Sequence, residues 1–463
     1  MFRCSVYAIF FISAVFVPNS LRADPAWNPV RVARDADGWP HFFEVWNQEE
    51  KRYEPEILCG YSNLAFMFPL ETTISVLDEL AANHANFTRL WIRPNDGFSA
   101  FQFIEEQKKV DLDQWNEDFF QRLHTILAEA ERRGIVIEVM LWDRCTHWFG
   151  GGLSVPLSWM KGVGRERGQN VYHPDNHLRS SAGNQPIPGL EMQDTRRIEE
   201  DPFYNVQNSV WMEYQKRYMA RVIRELQQFD LVTVELINEA PGTAAAHEWR
   251  KYMHTWLKKT YPSLLVQSES LGRDREFAAW GRDHPGLVDM TASHDFWTYD
   301  TAQAFYHNFK GVLPGCNEYI HQDLTDMARC RQMMWGLTMG GGACWVENIL
   351  APNGSIISRE IYNYFHPGAD APLIGRLRPA PDAVIANDGT KYALAADDRS
   401  EILVYLSRQA TRSPFVLDAK GPGRFRWFHC GDESDSFWGQ WIEATDSFTP
   451  PRLPAGLQYQ AMP

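Results

Sequence analysis

Two apolar runs in this chain end on carboxylates. VELINEA (residues 234–240) is a buried-looking strand that finishes in Asn238-Glu239, and GVLPGCNEY (311–319) finishes in Asn317-Glu318. Two carboxyl groups facing each other on a rigid scaffold can hydrolyse a glycosidic bond. One protonates the leaving oxygen and later activates water. The other attacks the anomeric carbon, which requires the carboxyl groups to stand about 5–5.5 Å apart. Glu239 and Glu318 are 79 residues apart in sequence (318 minus 239), so the fold must bring them together.

The elements around them supply a way. Eight strand-like runs alternate with helical ones: 57–64, 87–94, 134–143, 231–239, 263–270, 287–296, 311–319 and 341–348. Helical periodicity is read at 72–84, 112–134, 210–229, 247–261 and 323–339. Alternation of this kind implies a parallel sheet, and eight is the number that closes a (β/α)8 TIM barrel. Glu239 then ends the fourth strand and Glu318 the seventh, on opposite sides of the barrel mouth, where such barrels keep their chemistry. Other polar residues at strand ends are Arg89 and Arg93 on the second, Trp142-Asp143 on the third, His294 on the sixth, and Trp345, Glu347 and Asn348 on the eighth. Glu235 lies four residues before Glu239 and is read as a structural carboxylate paired inside the barrel.

An N-terminal hairpin is expected at 30–45. Residues 144–205 carry no long periodic pattern and read as a functional loop. Within it, His147, His173 and His177 lack a metal-ligand spacing and read as solvated, while Trp148 and Trp159 could stack on a sugar. The segment 376–382 reads as a linker. Short β runs after it suggest a small antiparallel β-sandwich. The expected organisation is a signal peptide at 1–23, the barrel with its hairpin at 24–370 and the sandwich at 376–463.

These residues resemble glycoside hydrolase clan A, the cellulase-like and apiosidase-like TIM barrels. The resemblance rests on Asn238-Glu239 at strand four, Glu318 at strand seven, ANFTRLWI (85–92) at strand two, SHDF (293–296) at strand six and ACWVEN (343–348) at strand eight. It covers roughly residues 35–360. By this resemblance Glu239 is the general acid/base and Glu318 the nucleophile. Asn238 donates to the sugar 2-hydroxyl, Arg89 supports the nucleophile, His294 contacts substrate and Trp345 is the sugar platform. Trp142 is counted with the substrate contacts. Phe296 stands where the clan often has Tyr. The trailing region, with RFRWFHCGD (424–432), resembles the domain of apiosidase-like proteins labelled collagen-binding.

Composition agrees with such a protein. The 463 residues carry a net charge of −14, which disfavours a nucleic-acid partner. The 18 Trp are enough to line a groove as well as a core. Arg3, followed by the apolar run 6–17 and Ala23, has the form of a cleaved export signal. This implies an exported protein, periplasmic, cell-surface or extracellular, without stable membrane insertion after cleavage. Six of the seven Cys remain in the mature chain, compatible with disulfides or with buried thiols. The expected activity is retaining hydrolysis of a polysaccharide or oligosaccharide without a cofactor. The alternatives are a barrel that binds carbohydrate without cleaving it, and a metal-dependent barrel hydrolase.

Overall fold

The computed structural model describes residues 27–61, 63–66, 69–92, 99–143, 171–172, 176–190, 202–270, 273–292, 298–316, 327–346, 352–366, 374–386, 391–406 and five short C-terminal strands between 415 and 444. The expected signal segment lies outside them. Among the described residues no helix is long and apolar enough to cross a membrane.

The chain opens with an antiparallel sheet of β1 (Arg31–Arg34), β2 (Pro40–Asn47) and β3 (Arg52–Glu56). The Asp35 carboxylate accepts from Trp39 N (2.8 Å) and fixes the first turn. Eight parallel strand positions follow: β4 (Cys59–Tyr61) with β5 (Asn63–Ala65), β6 (Phe87–Trp91), β9 (Val136–Asp143), β11 (Val232–Asn238), β12 (Val266–Gln267), β13 (Met290–Ala292), β14 (Leu313–Cys316) and β15 (Ala343–Val346). They match the eight expected runs in order. Hydrogen bonding gives β5-β6-β9-β11-β12 as one parallel sheet and β13-β14-β15-β4 as another. The 59–65 segment belongs to both. β9 and β11 are buried along their whole length, as strands covered on both faces must be. Gly60 has a packing reason: a Cβ there would sit 1.7 Å from Phe87 O on the neighbouring strand.

The helices are α1 (Leu70–Ala82), α2 (Glu117–Glu131), α3 (Ser209–Leu226), α4 (Ala244–Thr260), α5 (Asp274–Asp283), α6 (Tyr299–Asn308), α7 (Met327–Met339) and α8 (Pro352–Phe365). Helix α2 starts at Glu117, not at 112. Residues 112–115 belong instead to β8 (Lys109–Trp115), which pairs with β7 (Phe101–Ile104) in a hairpin. Asn116 marks the boundary. Within the expected long loop, β10 (His177–Leu178) runs parallel to β8. His177 is therefore buried, with Ile187 N donating to its Nε2 (3.4 Å), rather than solvated.

The segment 376–382 is not a linker. β16 (Arg378–Pro379) pairs with β18 (Lys391–Ala395), which pairs with β19 (Ile402–Leu406), all antiparallel. Leu377 and Ala383 are fully buried. This sheet lies against α6 and α7: Tyr299 stacks on Tyr392 (4.8 Å), its hydroxyl donates to Ala393 O (3.0 Å), and Trp335 stacks on Tyr405 (5.2 Å). Further antiparallel pairs join 384–386 to 415–417, 423–425 to 442–444, and 428–429 to 437–438.

Candidate active site

The parallel strands carry a buried polar layer. Arg89 on β6 is fully buried; its Nε donates to Glu235 Oε2 on β11 (2.7 Å), and its Nη2 also reaches Glu235. Glu138 on β9 is 3.8 Å from the guanidinium, and Gln267 on β12 donates to it. Glu235 is thus the paired internal carboxylate expected from its position. Charges this deep survive only when their partners stay in place, so the layer fixes the relative positions of four adjacent strands.

Arg89 also reaches the next layer up. Its Nη2 donates to Asn238 Oδ1 (2.9 Å), and Asn238 Nδ2 donates to Asp143 Oδ2 (3.3 Å). The Asn238 amide is oriented from both ends. Glu235 and Asn238 are three residues apart yet both meet Arg89, so simple alternation fails between them. On β9, Met140 meets Arg89 (3.5 Å) and Asp143 meets Asn238, again three apart. The β9–β11 register omits the Leu141–Leu236 pair, and Tyr218 OH donates to Leu141 O (3.2 Å).

Glu239 occupies an irregular turn of the ladder. Glu269 N donates to Ile237 O (3.1 Å), and Ala240 N donates to Glu269 O (3.1 Å). In a regular parallel ladder those two residues are two apart; here they are three apart. One extra residue is accommodated, and Glu239 takes φ +49. This is a bulge that redirects the chain at the C-terminal end of β11. A non-glycine residue in the left-handed region costs about 1–3 kcal/mol and tends to occur where function needs it. Glu239 is partly buried. Directly after the bulge, the Thr243 side chain accepts from Ala246 N and starts α4.

Trp142 requires a correction. It is fully buried and faces the helices, with ring centroids 5.3 Å from Tyr218, 5.6 Å from Trp249 and 6.0 Å from Phe203. Its Nε1 donates to Tyr172 OH (3.4 Å), a phenol that burial pushes well above its ordinary pKa. Trp142 is core, because the slip in alternation turns it away from the mouth. Arg89, Asn238 and Glu239 come together. Glu318, His294, Phe296, Arg93, Glu347, Asn348, His147, His173, Trp148 and Trp159 lie outside the described residues, as does the Trp345 side chain. The Trp345 backbone pairs with Gly60. The sequence reading left Glu138, Gln267 and the role of Asp143 unassigned; their signal was polarity inside buried strands. Among the described residues no cluster of His, Cys, Asp or Glu could hold a metal ion. Cys59 and Cys330 are buried.

The same architecture occurs in solved structures. The chain superposes on a glycoside hydrolase family 5 protein from Bacteroides vulgatus ATCC 8482 with a TM-score of 0.60 at 12% identity, over 93% of this chain and 92% of that one. A second structure, of a glycoside hydrolase, gives 0.54 at 11% identity over 91% and 92%. At such identities the likeness is one of fold. It is an α/β fold with a parallel sheet, and it spans nearly the whole chain. No protein-family model and no curated protein sequence matches the chain.

Proposed function

We propose that this protein is an exported retaining glycoside hydrolase acting on a polysaccharide or oligosaccharide. In this reading the eight strands close into a barrel; support at the junction of β12 and β13 comes from Val266 N, which donates to Asp289 Oδ2 (3.4 Å). The antiparallel pairs beyond residue 376 make up a sandwich. The observation that carries the functional reading is the end of β11. There a bulge presents Glu239 directly beside an Asn238 whose amide is fixed by Arg89 and Asp143.

Glu239 acts as general acid, then as general base. Asn238 donates to a sugar hydroxyl next to the reacting carbon. Glu318 attacks the anomeric carbon and forms the glycosyl-enzyme intermediate. His294 and Trp345 contact the sugar, His294 by hydrogen bonding and Trp345 as a stacking platform. The solved structures of glycoside hydrolases with this fold add weight to the substrate class.

The test is a glycan-array activity screen followed by proton NMR of the first product formed. A product anomer matching that of the substrate supports double displacement. The opposite anomer contradicts it, and binding without turnover on every glycan would leave a carbohydrate-binding barrel.

A further inference from the structure

The N-terminal sheet sits at the end of the barrel opposite Glu239. Val30 N donates to Asp230 O (3.1 Å), and Trp27 Nε1 donates to Phe229 O (2.8 Å). Asp230 precedes β11 and Glu239 follows it, so roughly 30 Å of extended chain separates them at about 3.3 Å per residue. Between the sheet and the turn at 227–230 lies a cleft of about 370 Å³, a volume typical of small-ligand sites.

The lining of this cleft is specific in kind. Trp46 supplies the main indole surface, Trp27 lines the cleft as a buried ring, and Gln48, Gln227 and Gln228 supply amides. Trp46 is half-buried and packs edge-on against Tyr53 (5.2 Å). The one carboxylate among the described lining residues, Asp230, is held at both oxygens: Asn28 N donates to Oδ1 (3.3 Å) and Gln48 Nε2 donates to Oδ2. Lys51 donates to Gln48 Oε1 (3.2 Å) and balances the Asp230 charge across the cleft. Gln227 Nε2 is buried with no hydrogen-bond partner. A buried donor left in that condition costs about 1–3 kcal/mol, a cost recovered if the Gln227 amide turns to meet an acceptor in the cleft.

Indoles with amides and a balanced charge suit a neutral polyhydroxylated ring. Its C–H faces pack on the indoles, and its hydroxyls accept from and donate to the amides. An anionic ligand would find a single lysine, already engaged. We propose that this cleft is a second carbohydrate site, which holds a neutral pyranoside unit of a glycan chain at the far end of the barrel. It shares a ligand class with the proposed hydrolase site but no residue, so either reading can fail alone.

The test is calorimetric titration of full-length E239Q with β-1,4-linked hexasaccharides of glucose, mannose and xylose. E239Q/W46A and E239Q/Q227A are titrated in parallel. At least one saccharide should show a binding event that weakens about tenfold in the Trp46→Ala background, as loss of an aromatic platform implies, and also weakens in the Gln227→Ala background. W46A alone should hydrolyse a soluble substrate at the wild-type rate, and the hydrolysis assay on wild-type protein judges the barrel site separately. Equal isotherms in all three proteins, or no binding of any probe, overturn the proposal. If W46A proves misfolded by circular dichroism, the Gln227→Ala comparison decides the matter alone.

Discussion

Arg89 donates to Asn238 at 2.9 Å while holding Glu235 at 2.7 Å. One guanidinium therefore ties the buried polar layer of the parallel sheet to the residue beside the proposed proton donor. Stability and the proposed chemistry meet at that side chain, and the first prediction follows from it.

Arg89→Met leaves Glu235 charged and buried without its cation. Loss of one partner of a buried pair costs about 3–5 kcal/mol. Urea unfolding should show a loss of this size, and Arg89→Met combined with Glu235→Met should recover most of it. A double variant no more stable than the single one would contradict the pairing.

Under the proposed function, the bulge at Glu239 sets activity against stability. A glycine at φ +49 carries no Cβ strain. Glu239→Gly should therefore raise the unfolding free energy by about 1 kcal/mol while abolishing hydrolysis. Differential scanning calorimetry reads the first effect and a glycan assay the second.

The polar layer also shows how far the sequence could be read. The eight strand positions were legible because parallel strands buried on both faces give continuous apolar runs of the right length. Glu239 was legible as a carboxylate at a strand end. The bulge was not, because it is a count of ladder bonds between 237 and 240 and leaves no mark on residue types. Trp142 was misplaced for the same reason: alternation slips between 140 and 143. The hairpin at 101–115 was hidden because LDQW can begin a helical pattern, and only the turn at 105–108 reveals the strand. The segment 376–382 reads as a linker in sequence, but it pairs with the C-terminal sheet, and Leu377 and Ala380 are buried.

That burial gives a third prediction. A chain ending at residue 375 would expose Tyr299 and Trp335, whose rings stack on Tyr392 and Tyr405. Such a truncation should aggregate on expression. A milder test is Tyr405→Ala, which should lower the stability of the α/β unit by about 3 kcal/mol. A soluble, fully active truncation would show that the C-terminal sheet is independent of the α/β unit.

His254 predicts a pH dependence. Its Nδ1 faces Leu287 O (3.3 Å) and so carries the proton, while its Nε2 accepts from Ser268 Oγ (3.1 Å). Burial, with Arg250 nearby, lowers its pKa from 6.5 to about 3. The unfolded chain then binds the proton more readily. Stability is complete above about pH 6.5 and is lost as the pH falls toward 3. Between pH 7.5 and 4.5 this residue accounts for roughly 2–3 kcal/mol. His254→Gln should be less stable than wild type at pH 7.5, with the gap narrowing by that amount at pH 4.5. Denaturant midpoints at the two pH values measure it, and a constant gap would remove His254 from the acid response.

The central claim is that Glu239 and Glu318 act as a pair, and it is tested most directly by the turnover of Glu239→Gln and Glu318→Gln on a glycan that the wild type cleaves. Each substitution keeps shape and removes the carboxylate, so kcat should fall by about 100-fold or more, with unfolding midpoints near that of wild type. Wild-type turnover in either variant would contradict the two-carboxylate account.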